Sequence, residues 1–104
     1  MMKSFGDMVK QAQKMQQKMG ELQETFAEQR YEASAGGGMV KVVVDGKQRL
    51  KEIKLSPAAL QEKDVTLLED LVLTAVGEAQ RASESEMKSA IGKITGGMNL
   101  PFFG

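Results

Sequence analysis

The side chains that could do acid–base, nucleophilic or metal chemistry are few in this 104-residue chain, which contains no histidine and no cysteine. Disulfides, thiolate nucleophiles, histidine bases and the usual zinc-ligand sets are therefore excluded. Close carboxylates include the neighbours Glu69 and Asp70 and the pair Glu84 and Glu86. On a helix, residues one or two positions apart diverge instead of converging on a substrate. We therefore expect no enzymatic activity and no metal site.

Lysine is the residue type whose spacing does suggest a chemistry. Lys10, Lys14 and Lys18 recur at every fourth position, so that on a helix their ammonium groups form one line, called here the lysine ridge. Cations in the first half of a helix run against the helix dipole, at a cost of about 0.3–1 kcal/mol each near the terminus. The ridge is either a solvated face kept for solubility or a surface that faces an anion.

The formal net charge of zero is an average over blocks of opposite sign. Residues 1–20 carry four lysines against one aspartate, and residues 33–56 carry five basic side chains against two acidic ones. Residues 21–32 and 57–104 are acidic in balance. Because affinity for a polyanion depends on the phosphates that are neutralised, a chain with this balance can bind one only through local basic patches.

A first amphipathic helix is predicted from about Ser4 to about Gln29, with a capping box formed by Ser4 and Asp7. Apolar residues recur along this helix at alternating spacings of three and four positions, so they form one seam on its surface. The seam comprises Phe5, Met8, Ala12, Met15, Met19, Leu22 and Phe26. The methionine-rich seam is interpreted as a packing seam, with an adaptable binding groove as the alternative. A helix of this length is longer than a short strand, so part of it should project as an arm.

A second amphipathic helix is predicted from near Asp64, a helix-capping residue, to Thr95–Gly97. Its apolar face is broad as far as Gln80 and narrower beyond it, which suits a helix that covers a sheet and then projects. We expect one domain over residues 1–97. Residues 98–104 are apolar and too short to fold alone, so they are expected to form a flexible tail or a docking peptide.

Three short strands are predicted between the helices, at residues 30–34, 39–44 and 47–55. The pair Asp45–Gly46 suits a two-residue hairpin turn. With that turn, the inward valines of the second strand would lie opposite basic side chains, so that Val40, Val42 and Val44 face Lys51, Arg49 and Lys47.

Two further features of this segment concern local geometry. Leu50, Ile53 and Leu55 break a strict alternation, so a β-bulge is expected near Lys51–Glu52. Gly36–Gly38 lacks the lysine and hydroxyl residues of a phosphate-binding loop and precedes a strand instead of a helix. The glycines are therefore interpreted as a flexible or close-packed turn.

The chain resembles the bacterial YbaB/EbfC family of nucleoid-associated proteins over nearly its whole length. The resemblance lies in the glutamine- and methionine-rich residues 11–16, the block SAGGGMVKVVVDGK at 34–47, and residues 68–72 and 95–98. It implies an α+β fold of helix, three-stranded antiparallel sheet and helix (α-β-β-β-α), and a homodimer with projecting helical arms. It also implies DNA binding with a nucleoid-organising or gene-regulatory role, and neither enzymatic activity nor a cofactor.

Two surfaces are candidates for binding DNA through backbone contacts with little sequence specificity. If the long helices run antiparallel, one arm end collects the residues Lys3, Lys10, Lys14, Lys18, Lys88 and Lys93. The sheet offers an alternative set, which comprises Lys41, Lys47, Arg49, Lys51 and Lys54. The arm ends are the preferred interpretation, because dimerisation would use an edge or face of the sheet.

A protein–protein interaction adaptor is the alternative function. In that case the methionine seam and the apolar residues Leu100–Phe103 would grip a partner, such as a DNA replication or repair protein. No small-molecule substrate is expected in either case. Because Met1–Ser4 lead into a polar helix with no signal core or membrane-spanning run, we expect a protein of the cytoplasm and nucleoid that does not enter a membrane.

Overall fold

A computed structural model describes residues 4–94 of the chain. The elements in chain order are α1 (Phe5–Glu28), β1 (Arg30–Ala35), β2 (Val40–Asp45), β3 (Leu50–Leu55), α2 (Pro57–Leu60) and α3 (Val65–Ile94). The predicted order of helix, three strands and helix is confirmed. The end of the second helix, the boundary at residue 97, the tail at 98–104 and Lys3 lie outside the described residues.

Both long helices begin where local capping predicts. The Ser4 hydroxyl oxygen accepts a hydrogen bond from the Asp7 backbone nitrogen at 3.2 Å, and the Asp64 carboxylate accepts one from the Leu67 nitrogen at 3.0 Å. Each side chain satisfies a backbone N–H that has no partner within the first turn of its helix. The caps fix where the helices start, and packing decides which faces they bury.

The sheet has the antiparallel order β1-β2-β3, but its second turn differs from the prediction. Gly46, Lys47 and Gln48 form a three-residue connection closed by a 2.9 Å hydrogen bond from the Asp45 nitrogen to the Arg49 carbonyl oxygen. Gln48 adopts a left-handed φ of 67°. In three-residue hairpin loops, the residue that follows the type I turn has this left-handed conformation. The predicted two-residue turn is wrong, because the Asp45 carboxylate binds the Lys47 and Arg49 nitrogens and holds Asp45 in the strand.

The register of β2 and β3 changes accordingly. The inward valines lie opposite apolar residues of β3 instead of the predicted basic ones, in the pairs Val40–Leu55, Val42–Ile53 and Val44–Leu50. The predicted bulge is confirmed, because Val43 pairs with Glu52 while Val44 pairs with Leu50, which leaves Lys51 as the extra residue.

The core lies between α3 and the central strand. Val40, Val42 and Val44 are fully buried against Ala75 and Ala79 of α3. Each buried valine contributes about 1.5–3 kcal/mol relative to an exposed one, and the two alanines let the helix backbone approach the sheet closely. α3 packs over β1 and β2 and leaves β3 largely open.

Among the described residues 4–94, the apolar surfaces left uncovered include one on β3 and one on α1. Leu50, Ile53 and Leu55, called here the β3 face, lie on the helix side of the sheet but are nearly half exposed. The seam of α1 is buried only at Phe26, whereas Phe5 is 82% exposed. The predicted packing seam is thus covered at one end alone within one chain.

The molecule is long and narrow, with extents of 70 × 23 × 16 Å. Its radius of gyration is 19.5 Å, against about 13 Å for a compact domain of this length. The helices account for the difference, because α1 and α3 span about 36 and 45 Å and a six-residue strand spans only about 20 Å. None of the helices within residues 4–94 is long and apolar enough to cross a membrane.

Candidate nucleic-acid interface

The two long helices run antiparallel, and the far end of α3 lies beside the first half of α1. Ile94 lines a shallow hollow together with Gln11, Lys14, Met15 and Lys18 of α1. At the other end of this helix pair, Phe26 of α1 and Ser83 of α3 both contact the turn between β2 and β3. The antiparallel arrangement on which the arm-end prediction depends is therefore present.

The lysine ridge lies on the exposed surface of α1. Lys10 and Lys14 line a second hollow with Asp7 and Gln11, next to the one that Lys14 and Lys18 share with Ile94. Within residues 4–94, none of the three ridge lysines forms an ion pair. The ridge therefore presents three ammonium groups whose charge no carboxylate in direct contact compensates.

The lysines of α3 contribute unequally to this end of the molecule. Lys88 is exposed, but its Nζ lies 3.3 Å from an Oε1 atom of Glu84, one turn earlier in the helix. Lys93 lies in the last described turn of α3 and is adjacent in sequence to Ile94. Lys93 therefore lies at the same end of the molecule as the ridge, whereas the charge of Lys88 is partly compensated by Glu84.

The basic residues of the sheet do not form one patch. Lys41 and Lys54 lie directly opposite each other on the outer face, and Lys54 pairs with Glu52 at 3.3 Å. Lys51 Nζ lies 3.9 Å from the Asp45 Oδ2 atom. The remaining two members of the predicted set, Lys47 and Arg49, belong to the turn and the residue that follows it.

Acidic side chains alternate with the basic ones on that outer face. Glu32 and Glu52 line both of its hollows, in which they adjoin Lys51 and Arg30 on one side and Lys41 and Lys54 on the other. The face is therefore of mixed charge. A DNA backbone that crossed this face would contact carboxylates as well as cations. The outer face is therefore less suited to binding DNA than the lysine ridge.

Arg30 is a basic residue with a structural role that sequence reasoning did not assign. Its Nη1 donates hydrogen bonds to the carbonyl oxygens of Ala27 at 3.0 Å and Gln29 at 2.9 Å, just after α1 ends. A cation that follows the last turn of a helix is the sequence signal for such a cap. Arg30 therefore holds the junction between α1 and β1.

The turn at Asp45–Gly46 is where the helices meet the sheet. The Gly46 nitrogen donates to the Phe26 carbonyl oxygen at 2.7 Å, and the Ser83 hydroxyl donates to the Asp45 carbonyl oxygen at 2.9 Å. A Cβ atom on Gly46 would lie 2.5 Å from the same Phe26 oxygen, so only glycine fits. The sequence predicts a turn at Asp45–Gly46, but no pattern in it indicates the contacts of this turn with Phe26 and Ser83.

The Asp45 carboxylate is buried and remains ionised. Burial raises the pKa of this carboxyl, but hydrogen bonds from the Arg49 and Lys47 backbone nitrogens, together with the charges of Lys51 and Arg49, lower it on balance below the usual range.

Elsewhere, burial and then the charge of Glu86 raise the pKa of the Tyr31 phenol. Within residues 4–94, no group of three acidic side chains is placed to hold a metal ion.

Comparison with known proteins decides the family. The model of the YbaB/EbfC DNA-binding family matches residues 2–98. The chain belongs to the YbaB/EbfC DNA-binding family. The predicted resemblance is confirmed, and with it DNA as the binding partner and the absence of an enzymatic role, because the family is one of DNA-binding proteins.

Relatives of this YbaB/EbfC-family chain carry a consistent description. A nucleoid-associated protein of Thermoanaerobacter sp. (strain X514) is 45% identical over 98 residues, covering 94% of this chain and 88% of the relative. A nucleoid-associated protein of Acetivibrio thermocellus is 46% identical over 95 residues, covering 91% and 84%. The crystal structure of an uncharacterized protein of Helicobacter pylori has a TM-score of 0.83 and covers 90% of this chain and 99% of that one. At 19% identity, that likeness shows the fold alone.

Proposed function

We propose that this YbaB/EbfC-family chain is a nucleoid-associated protein that binds duplex DNA as a homodimer. Its contacts are lysine–phosphate contacts with little sequence specificity, and through them it organises the nucleoid or modulates gene expression. The observation that carries the proposal is the lysine ridge, whose three exposed ammonium groups lack an ion-pair partner within residues 4–94. The ridge, with Lys93 and Lys88 near it, is the proposed DNA-binding surface.

The chemistry of the ridge favours phosphate over bases. Lysine offers a compact charge on a flexible stem, whereas reading guanine in the major groove relies on bidentate donors such as arginine. Neighbouring ridge lysines are about 6 Å apart along the helix axis, so they can contact successive phosphates. Binding of this kind depends on the backbone and not on the base sequence.

The sheet is the weaker candidate surface. Of its basic residues, Lys54 and Lys51 each lie within 4 Å of a carboxylate oxygen, and Glu32 adjoins Lys41 across the outer hollow. Releasing those pairs to bind DNA would cost part of the energy gained from phosphate contacts. We therefore assign the sheet lysines a minor part in DNA binding.

Uncovered apolar surface supports the homodimer. The β3 face continues the buried row of β2 valines, yet α3 does not cover it. Contiguous apolar surface of this kind in a soluble chain indicates a protein interface. A second copy seated there would bury the β3 face twice, and the dimer would carry the lysine ridge on two projecting helical arms.

The proposed location follows from the relatives. Proteins described as nucleoid-associated, more than 40% identical over most of this chain, support a location in the nucleoid, within the bacterial cytoplasm. A homodimer with two basic arms could contact two DNA segments or two turns of one segment. Either arrangement would serve compaction.

One observation favours the adaptor as a second function. Phe5 and Met8 of the α1 seam are 82% and 58% exposed, and methionine-rich surfaces adapt to varied partners. A replication or repair protein is the kind of partner that such an adaptor would bring to DNA. The other half of that hypothesis, Leu100–Phe103, lies outside the described residues.

A titration of duplex affinity against salt tests the main proposal. Two ridges of three lysines would neutralise about six phosphates, so log K should fall with log salt with a slope of about −5. Light scattering on the same sample reports whether the species that binds is a dimer. An affinity that does not change with salt, or a monomeric complex, would rule out the proposed mechanism.

A further inference from the structure

One turn contacts both long helices. Residues 45–49, called here the shoulder turn, bind α1 through the 2.7 Å hydrogen bond from the Gly46 nitrogen to the Phe26 carbonyl oxygen. They bind α3 through the hydrogen bond from the Ser83 hydroxyl to the Asp45 carbonyl oxygen at 2.9 Å. Gln80 of α3 adds a 3.1 Å hydrogen bond from its Nε2 atom to the Gln48 carbonyl oxygen.

The contacts of the shoulder turn involve buried polar groups and hydrogen bonds that define the conformation of the turn. Asp45 is 1% exposed and Ser83 is fully buried, although both are polar. The Asp45 carboxylate shapes the turn itself, because one of its oxygens accepts from the Lys47 and Arg49 nitrogens at 2.8 and 3.0 Å. A buried polar group that loses its partner costs about 1–3 kcal/mol, so these contacts resist rearrangement.

Small changes at the shoulder turn are amplified at the ridge. Lys18 and Lys10 lie eight and sixteen residues before Phe26, which corresponds to about 12 and 24 Å along α1. A tilt of α1 by about 10° about Phe26 would therefore move Lys10, which lies about 24 Å away, by about 4 Å. This displacement exceeds the roughly 3.4 Å by which successive phosphates of one strand advance along duplex DNA.

We infer that Asp45, Gly46 and Ser83 are positioning residues for DNA binding. They contact no DNA, but they set the direction in which the ridge of α1 and the end of α3 leave the sheet. This inference rests on the proposed function, since it assumes that the ridge meets the phosphates.

The test uses Ser83→Ala, with Ser85→Ala on an exposed part of α3 as the matched control. Because the chain has no cysteine, spin labels can be attached at two introduced cysteines, Gln13→Cys in α1 and Thr66→Cys in α3. Dilution into excess unlabelled protein keeps the measured distances within one protomer. We expect Ser83→Ala to broaden the distance distribution or shift it by several ångströms, and Ser85→Ala to leave it unchanged.

Duplex affinity is measured on the same variants without labels. Ser83→Ala should bind about threefold to tenfold more weakly, with a shallower salt slope, because displaced lysines lose phosphate contacts. Equal distance distributions for the two serine variants would overturn the inference, as would an altered distribution with unchanged affinity. Failure of the proposed function has a different signature, namely that neutralising the ridge itself leaves affinity unchanged.

A second variant covers the case in which Ser83→Ala does not fold. Gln80→Ala removes the 3.1 Å contact to Gln48 at a partly exposed position and leaves the Asp45 contact in place. It should alter the label distances and the affinity in the same direction by a smaller amount. The absence of any change in label distance for this variant would then overturn the inference.

Discussion

The backbone nitrogen of Gly46 donates a 2.7 Å hydrogen bond to the backbone carbonyl oxygen of Phe26. This bond joins the end of the first helix to the turn between the second and third strands, and the buried Phe26 ring packs beside it. The same carbonyl oxygen accepts the capping hydrogen bond from the Gln29 nitrogen. One oxygen atom therefore both ends α1 and attaches it to the sheet.

Alanine at two glycines should have opposite effects on stability. Gly46→Ala places a Cβ against the Phe26 backbone and should lower the free energy of unfolding by about 1–3 kcal/mol. Gly20→Ala lies within α1, where a Cβ meets nothing within 4 Å, and should raise it by about 1 kcal/mol through helix propensity. Urea unfolding at one fixed protein concentration measures both. Effects of the same sign would contradict this account.

Neutralising the lysine ridge should weaken binding to every duplex sequence alike. The variant Lys10→Gln/Lys14→Gln/Lys18→Gln removes about six phosphate contacts from a dimer, so the salt slope of about −5 should lose most of its magnitude, and the remaining lysines near the ridge supply what is left. Mobility-shift titrations at several salt concentrations provide the measurement. The matched control is Lys41→Gln/Lys54→Gln on the sheet, which should change the slope little. The reverse pattern would assign DNA binding to the sheet.

Acid should remove the contribution of Asp45 to stability. Because the pKa of Asp45 is lowered in the folded protein, its carboxylate stabilises the fold above about pH 3.9, the ordinary value for aspartate, and the contribution is lost as the pH falls through the lower folded-state value. Asp45→Asn should cost about 1–3 kcal/mol at pH 7, and this difference from the parent should shrink below pH 3.9. Unfolding curves between pH 7 and pH 3 measure it, with the exposed Asp70→Asn as control. A difference that is constant over this range would refute the assignment.

A charge on the β3 face should abolish the proposed dimer. Ile53→Asp places a carboxylate on an apolar surface that is exposed in the single chain, so each protomer should stay folded while association fails. Leu67→Asp on α3 is the matched control, because Leu67 and Ile53 are 43% and 45% exposed. Light scattering gives the mass, and circular dichroism checks the fold. A dimeric Ile53→Asp variant would place the interface elsewhere.

Removal of residues 98–104 separates the two proposed functions. DNA affinity should be unchanged, because the ridge lies on α1 and is not altered. The adaptor hypothesis requires instead that capture of a replication or repair protein is lost together with Leu100–Phe103. Mobility shifts and pull-downs with the full chain as reference give both measurements. A large loss of DNA affinity would assign the tail a part in binding.

Local chemistry predicted much of this fold. The Ser4 and Asp64 caps, the order of elements and the bulge at Lys51 each follow from residues close together in sequence. The turn at Asp45–Gly46 was predicted with the wrong length, because its geometry depends on a carboxylate that binds nitrogens two and four residues ahead. Turn propensities describe backbone preferences and not such a side-chain clamp.

The candidate site was predicted in part for the same reason. The i, i+4 spacing identified Lys10, Lys14 and Lys18 as one ridge, and the antiparallel helices bring α3 beside it. Spacing could not reveal that Lys88 pairs with Glu84, or that the sheet cations are interleaved with glutamates. Those facts depend on which strand lies next to which, and the two-residue turn had placed β3 in a different register.

The extra residue at Lys51 changes which side of the sheet the start of β3 faces. In a regular strand, residues 50 and 53 point to opposite sides, since side chains alternate. The bulge cancels one step of that alternation, so Leu50 joins Ile53 and Leu55 on a single side. A straight strand that kept Lys51 would turn Leu50 outward among the charged side chains, whereas deletion of Lys51 would leave Leu50 two residues from Ile53 and on the same side. The bulge therefore compensates for the odd-numbered spacing between Leu50 and Ile53, and a strand that lost Lys51 would keep one apolar surface without needing the bulge.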